Sequence, residues 1–238
     1  GTIIGSAIFN ITVIVGGSAL FGKITIDRRV VMRDGLFYLF TVLVAIAGTW
    51  DGRLTRLEAI VWALLFVGYL AWLFYDATRG EPVPHEGFDH LSTRMALVYS
   101  AGGLLAVVVA ARYLIVHVDL VAAELGVSEA IFSLVIIAAG TSVPDLVTSL
   151  EAARHGMGSL AVANAIGSNI FDILGALGIP FAFREVTAVQ ASLDFSTVFL
   201  LVGVVAAVGF LRLDWSLSRR EGGLLVGVYG AYLVVLLA

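Results

Sequence analysis

Long runs of apolar residues, most of them close to the length that crosses a lipid bilayer, constrain this chain more than any other feature. The hydrocarbon core of a membrane is about 30 Å thick, so a helix needs about 20 apolar residues to span it. Of the 238 residues, 60% are hydrophobic and 13% are charged, whereas about a quarter of a soluble domain is charged. The composition therefore indicates an integral membrane protein.

Eight such runs can be distinguished, and each is predicted to form a transmembrane helix. Only α-helices and closed β-barrels satisfy their backbone hydrogen bonds in lipid, and these runs lack the two-residue alternation of barrel strands. We therefore predict an all-α polytopic membrane protein with spans at residues 3–21, 35–48, 57–75, 95–116, 128–153, 159–181, 195–211 and 222–238. The second span is short, and its start is left open toward Val30.

Residues 76–94 form the predicted linker between two halves, because this polar stretch contains Pro82 and Pro84. The connections after odd-numbered spans contain most of the 14 Lys and Arg residues. Since basic residues concentrate in cytoplasmic loops, the linker is predicted to be cytoplasmic and the C-terminus to face outside. The absence of cysteine excludes disulfides and thiolate metal sites.

A segment of the first predicted span recurs in the sixth. Residues 5–11 read Gly-Ser-Ala-Ile-Phe-Asn-Ile, and residues 167–173 read Gly-Ser-Asn-Ile-Phe-Asp-Ile. Further matches keep nearly the same offset: residues 54–58 with 217–221, Asp51 with Asp214, and Tyr69 with Tyr232. Because polar residues recur at a nearly constant offset, the pattern indicates an internal duplication.

The two copies are offset by an odd number of spans, so the second copy crosses the membrane in the opposite direction. Such inverted repeats are typical of secondary transporters, whose binding sites lie near the midplane. Five helices per half predict ten, of which about eight are present, and two N-terminal helices are expected to be missing. Residues 1–75 would then be the last three helices of the first repeat, and 95–238 the complete second repeat.

Asp145 is expected to lie at membrane depth, where an ionisable side chain costs about 2.5–3.5 kcal/mol on insertion scales. The preceding Pro144 cannot donate a backbone hydrogen bond, so the Gly140 carbonyl loses its helical partner. Thr141 and Ser142 lie nearby and add hydroxyl oxygens. This group of oxygens suits Na⁺ and Ca²⁺, which prefer oxygen ligands. The alternative is a kinked helix whose Asp145 is held by a neighbouring Ser or Arg.

Asp172 forms a second polar group on the sixth predicted span. Asn164, Ser168 and Asp172 are spaced four residues apart, so they share one helical stripe. In the first copy, Asn10 is equivalent to Asp172, and Ser6 lies one turn before it. An interhelical Asn is often structural, but its pairing with Asp172 across the repeat favours a role as an ion ligand.

These motifs resemble those of the cation/calcium exchanger superfamily. Residues 141–145 with 167–172 are similar to its second repeat motif, which we place at 138–178. Residues 1–11 are similar to the rear half of its first motif, and we place that rear half at 1–21. The resemblance implies a secondary antiporter that exchanges Na⁺ for Ca²⁺ by alternating access, without a cofactor or a nucleic-acid partner. It implies as metal ligands Asp145, Asp172, Asn10, Ser6, Thr141, Ser142, Ser168 and the carbonyl of Ala138.

The resemblance also sets limits on this prediction. The family carries a further acidic residue in a helix that is expected to be missing, so the site of this chain is expected to be incomplete. Asp145 and Asp172 look most like the potassium-dependent branch, but prokaryotic members without K⁺ dependence also have Asp at the position of Asp172. K⁺ co-transport therefore stays open. The short linker resembles prokaryotic members, which implies the inner membrane of a prokaryotic cell.

Three other functions remain as alternatives. A Ca²⁺/H⁺ antiporter of the same fold would differ in being driven by a pH gradient. An intramembrane hydrolase would use Ser142 or Ser168 as a nucleophile, but no His or Lys in the nearby spans can serve as its base. A pore is disfavoured by the inverted repeat, which indicates alternating access.

Overall fold

The computed structural model describes residues 2–79, 92–126, 132–183 and 195–237. Most of the predicted linker and the start of the fifth predicted span lie outside these residues. The described residues form the helices α1 (Thr2–Leu20), α2 (Val30–Gly48), α3 (Arg56–Arg79), α4 (Thr93–Leu125), α5 (Val135–Thr141), α6 (Val143–Arg154), α7 (Gly158–Phe181), α8 (Phe195–Asp214) and α9 (Arg219–Leu237). The strands β1 (Ile24–Thr25) and β2 (Ser216–Leu217) pair antiparallel.

The helices agree with the predicted membrane spans. Within the described residues, six helices are long and apolar enough to cross a membrane, and the bent pair α5–α6 makes a seventh. The helix α4 covers the fourth predicted span. Among the six, α1 is the most buried, and its residues pack at the centre of the bundle against α5, α7, α8 and α9. The all-α polytopic fold is therefore confirmed.

The second span begins at Val30, five residues before the predicted start at Gly35. The sequence leaves this start open between Gly35 and Val30, and the start at Val30 places the charged Arg33 and Asp34 inside the helix. In the structure Arg33 forms hydrogen bonds of 2.7 and 3.0 Å with the buried Asp34, and the Tyr69 hydroxyl donates to Asp34 Oδ1 at 2.9 Å. Arg33 also pairs with Asp76. These partners compensate the charges, so the helix can include them.

Two capping boxes confirm that the duplicated sequences fold alike. Thr55 accepts from the Glu58 backbone N–H, and its own backbone N–H donates to the Glu58 carboxylate at 2.8 Å. Ser218 and Glu221, at the equivalent positions of the second copy, form the same pair of bonds, also with a 2.8 Å bond to the carboxylate. A capping box satisfies backbone donors at a helix start. Helices α3 and α9 therefore begin in the same way.

Equivalent helix contacts recur in the two halves as well. The Phe9 and Tyr229 rings join α1 to α9 at 5.5 Å, and their counterparts Phe171 and Phe66 join α7 to α3 at 5.6 Å. The close approach of Gly16 to Gly222 is likewise repeated by Gly178 against Ala59. The helix that carries the repeated motif in one half thus packs on the last helix of the other half: α1 on α9, and α7 on α3. Such an exchange of equivalent contacts is expected of an inverted repeat.

The contact between α1 and α9 leads to a prediction about stability. A Cβ atom at Gly222 would lie 2.5 Å from the Gly16 backbone oxygen, whereas a Cβ at Gly223 would meet nothing within 4 Å. Because a backbone atom cannot yield, we expect Gly222→Ala to destabilise the protein by about 1–3 kcal/mol. Thermal unfolding in detergent measures this effect.

Gly223→Ala is the matched control for this measurement. It adds the same methyl group one residue later on the same helix, where it gains helix propensity and meets no neighbour. We expect its unfolding temperature to equal or exceed that of the wild type. Equal stabilities for the two variants would show that α1 and α9 do not pack as described.

Candidate ion-binding site

The bend between α5 and α6 places Asp145 in the first turn of α6. The two helices meet at Ser142 with an angle of 51° between them, and Pro144 occupies the first turn of α6. The Gly140 carbonyl is not left free, contrary to the expectation from the sequence. It accepts a backbone N–H at the end of α5, because a tightened last turn satisfies carbonyls that lose their α-helical partners.

Two buried serine hydroxyls connect this bend to α1 and α7. Ser6 Oγ on α1 lies 2.8 Å from Ser142 Oγ, and it donates to Asp172 Oδ2 at 3.4 Å. Both serines are buried, and Asp172 is half-buried. The structure therefore brings three of the predicted ligands together, each from a different part of the sequence.

Asp145 lies close to the same group of side chains. Its carboxylate lies close enough to the side chains of Ser168 and Asn164 of α7 to interact with them, and close enough to Asp172 for the two charges to interact. Asn164 Nδ2 also donates to the Asp145 backbone oxygen at 3.3 Å and to Ser149 Oγ at 3.1 Å. The predicted polar stripe of α7, which includes Asp172, thus faces the start of α6, where Asp145 lies.

The other three predicted ligands form hydrogen bonds to groups other than the two carboxylates. Thr141 Oγ1 donates to the Ala138 carbonyl at 3.0 Å, and that carbonyl also accepts the Ser142 N–H at 3.3 Å. Asn10 Nδ2 donates to Asn169 Oδ1 at 2.9 Å. Within the described residues, no hydrogen bond joins Thr141, Ala138 or Asn10 to Asp145 or Asp172. Ion ligation by these three residues stays a prediction.

Asn169 is not among the predicted ligands, although it is fully buried next to the site. It bonds to Asn10, to the Ala7 backbone oxygen at 3.1 Å and to the Tyr38 hydroxyl at 2.8 Å. The sequence did offer a signal for Asn169, namely an amide side chain at membrane depth inside a repeated motif. Tyr38 gave no such signal, because a lone Tyr in an apolar span is an ordinary core residue.

The chemistry of the site is that of oxygen ligands. Two carboxylates converge with hydroxyl groups from three helices, and no group of three His, Cys, Asp or Glu side chains occurs among the described residues. Na⁺ and Ca²⁺ are bound by oxygen atoms of this kind. The fold and the site together define a polytopic membrane protein with a candidate cation site in the interior of its helix bundle.

A family model described as sodium/calcium exchanger protein matches residues 1–75 and 95–238. The chain therefore belongs to the sodium/calcium exchanger family. It is 32% identical to the inner membrane protein YrbG of Escherichia coli, over 99% of this chain and 76% of that protein. It is 28% identical to the sodium/calcium exchanger MaX1 of Methanosarcina acetivorans, over 99% of this chain and 79% of that protein.

Solved structures of the sodium-calcium exchanger NCX_Mj have the same fold. The structure soaked with 2.5 mM Na⁺ and 1 mM Sr²⁺ gives a TM-score of 0.75 at 29% identity, over 98% of this chain and 75% of that one. The structure without Na⁺ and Ca²⁺ gives 0.73 at 28% identity. The chain is thus an integral membrane protein of a cation exchanger family, and Na⁺/Ca²⁺ exchange is favoured over the alternative functions.

The bridging position of Ser6 leads to a prediction about ion affinity. Ser6→Ala removes the hydroxyl that contacts both Ser142 and Asp172, so we expect weaker Ca²⁺ binding. A lost hydrogen bond to a charged group is worth about 1.5–3 kcal/mol, which corresponds to an increase of roughly 10- to 100-fold in the dissociation constant. Calorimetric titration of the purified protein with Ca²⁺ measures this change.

Ser18→Ala is the control for Ser6→Ala. Ser18 is buried on the same helix, but its hydroxyl donates to the Ile14 carbonyl at 2.7 Å. Its loss should leave the affinity for Ca²⁺ unchanged. Equal affinities of Ser6→Ala and wild type would remove Ser6 from the site.

Proposed function

We propose that this protein exchanges Na⁺ for Ca²⁺ across the membrane by alternating access, at a site between α1, the α5–α6 bend and α7. Asp145 and Asp172 supply the charge in this proposal. Further oxygens come from the predicted ligands Ser6, Asn10, Ala138, Thr141, Ser142 and Ser168. The sodium/calcium exchangers to which the chain is similar support these two ions as its cargo.

One observation carries the proposal: two aspartates from different helices lie close enough for their charges to interact, beside a small group of buried serine hydroxyls inside an apolar bundle. Like charges at short range repel strongly in a medium of low polarity. A cation between them removes this repulsion, and it replaces its own water shell with the oxygens around it. The arrangement of Asp145, Ser6, Ser142 and Asp172 is therefore suited to bind a cation without its hydration shell.

The exchange follows from the need to neutralise these carboxylates. With Ca²⁺ or with several Na⁺ ions bound, the site carries little net charge, and the bundle can open it to the other side of the membrane. Without ions the charged site resists this change, because uncompensated charges would pass through an apolar environment. The protein therefore changes its open side in one direction with Ca²⁺ bound and in the other direction with Na⁺ bound. This requirement couples the two fluxes.

The repeat assignment is part of the same proposal. Residues 1–75 are the rear part of the first repeat and 95–238 are the second, so that the site lies at the interface of the two halves. The matched helix contacts and capping boxes support this division. In secondary transporters the binding site lies at such an interface.

A secondary transporter needs neither an enzymatic reaction nor a cofactor. A hydrolase using Ser142 would require a base beside that hydroxyl. Among the described residues, the partner of Ser142 Oγ is Ser6 Oγ. This pairing supports transport over nucleophilic catalysis.

The proposal is tested by replacing the aspartate of the bend. In proteoliposomes with the protein expressed from its complete coding sequence, Asp145→Asn should reduce Na⁺-driven Ca²⁺ uptake to the level of empty vesicles. The amide has nearly the same size but removes one of the two negative charges that hold Ca²⁺. Uptake of radioactive Ca²⁺ after imposing an outward Na⁺ gradient measures the activity.

Glu151→Gln is the matched control, because Glu151 is an exposed acid on the same helix. Its uptake should equal that of the wild type, and normal uptake by Asp145→Asn would refute the site. Replacing the Na⁺ gradient by a pH gradient distinguishes exchange with protons. Adding K⁺ on the Ca²⁺ side shows whether K⁺ moves with Ca²⁺.

A further inference from the structure

A chain of three buried side chains connects α2 to the candidate site. Asn10 Nδ2 donates to Asn169 Oδ1 at 2.9 Å, and Asn169 Nδ2 donates to the Tyr38 hydroxyl at 2.8 Å. All three side chains are fully buried. None of the predicted ligands lies on α2, so Tyr38 links a helix outside the ligand set to the site.

The Ala7 carbonyl determines which groups donate and which accept in this chain of hydrogen bonds. Asn169 Nδ2 also donates to the Ala7 backbone oxygen at 3.1 Å, and a carbonyl oxygen can only accept. The amino group of Asn169 must therefore face Ala7 and Tyr38, and its oxygen must face Asn10. Asn10 in turn has to present its amino group to Asn169. The orientation of an amide follows from its hydrogen-bond network in this way.

This orientation leaves the Asn10 oxygen available for another partner. Asn10 Oδ1 is buried and accepts no hydrogen bond from any residue that the structure describes. A buried carbonyl oxygen without a partner is costly in an apolar environment. Asn10 follows Ser6 by one turn of α1, so the two side chains project from the same side of the helix. A cation at the Ser6 oxygen is the partner that the Asn10 oxygen fits.

The duplicated half provides an internal comparison. Asn10 is equivalent to Asp172, and Asn169 is equivalent to Ala7. An ionised carboxylate offers two acceptor oxygens, so Asp172 presents an oxygen in either orientation. An amide has a donor end and an acceptor end, so Asn10 needs an orienting neighbour. The structure has that neighbour, Asn169 of α7, beside Asn10. The equivalent residue of α1 is Ala7, whose side chain cannot form hydrogen bonds, and the carboxylate Asp172 needs no such neighbour.

We propose that Tyr38 and Asn169 are positioning residues that hold the Asn10 side chain with its oxygen toward the transported ion. This inference rests on the proposed function, and it adds two residues that do not themselves touch the ion. Tyr38 engages the second N–H of Asn169 and so fixes the plane of that amide. Without this bond the Ala7 carbonyl alone restrains the Asn169 amide. Asn169 is then less firmly oriented, and Asn10 spends more time with its amino group toward the cation.

Tyr38→Phe tests the proposal in proteoliposomes with the complete protein. The outer partners of ion ligands typically contribute 10- to 100-fold to metal affinity, so we expect the KM for Ca²⁺ to rise about 10-fold. The maximal rate should change little, because a misoriented ligand weakens binding in the ground state and during transport alike. Asn169→Ala should raise the KM at least as much, since it removes the bond to Asn10 itself.

Tyr69→Phe is the matched control for a buried Tyr that loses its hydroxyl. Tyr69 donates to Asp34 at 2.9 Å, so its replacement also removes a buried hydrogen bond. Its KM for Ca²⁺ should equal that of the wild type. A rise in KM equal to that of Tyr38→Phe would show a general loss of packing, and it would overturn the proposal.

The decisive comparison uses Asn10→Ala as a background. If Tyr38 acts through Asn10, Tyr38→Phe has no further effect once Asn10 is Ala, so the two changes are not additive. Calorimetric titration with Ca²⁺ makes the same comparison if the flux of Asn10→Ala is too small. Additive effects, an unchanged KM in Tyr38→Phe, or loss of folded protein in both Tyr38→Phe and Asn169→Ala would each overturn the inference.

Failure of the proposed function would give a different result. If Asn10→Ala and Asp145→Asn both bind and transport Ca²⁺ like the wild type, then the site itself is wrong. If those two variants are impaired while Tyr38→Phe behaves like Tyr69→Phe, then the site stands and only the positioning role is rejected.

Discussion

The structure depends on one constraint: polar side chains within an apolar bundle must find partners, because no bulk water is present to solvate them. Around Ser6, this constraint is met by hydroxyls and carboxylates that contact each other. Hydroxyls can donate, but ionised carboxylates can only accept, so Asp145 and Asp172 cannot satisfy each other. In the proposed function, a cation supplies the missing positive charge. The affinity for ions then follows from the same requirement that organises the helices.

Each helix that contributes candidate ligands departs from regular α geometry beside them. Asn10 begins a π-helical segment in α1, and Asp172 lies in the π-helical segment at the equivalent position in α7. A third π-helical segment leads into Ala138, and the bend at Ser142 follows. Such segments often occur at functional sites, because they change where side chains point. Three of the four π-helical segments in the described residues lie beside candidate oxygen ligands, and the fourth, Val30–Gly35, lies in α2 away from them.

Much of this arrangement could be predicted from the sequence, because it follows from local patterns. The spans follow from apolar runs, the repeat from polar residues at a fixed offset, and Asp145 and Asp172 from charge at membrane depth. The sequence leaves the start of α2 open between Val30 and Gly35, since the inclusion of Arg33 and Asp34 depends on Tyr69 from another helix. The hydrogen bond between Tyr38 and Asn169 likewise joins residues that are far apart in the sequence. No local pattern indicates which buried hydroxyl an amide will meet.

The two halves agree in their scaffold and differ in their polar residues. Helix contacts such as Phe9 with Tyr229 recur almost unchanged, and so do the capping boxes. Asn10 and Asp172 differ in charge, and Asp34 has hydroxyl residues at the equivalent positions. Alternating access explains this pattern, because each half has to take the conformation that the other leaves, which requires matching backbones. In the proposed function the cation lies between the halves and is bound by ligands from both, so the two halves need not supply identical ligands.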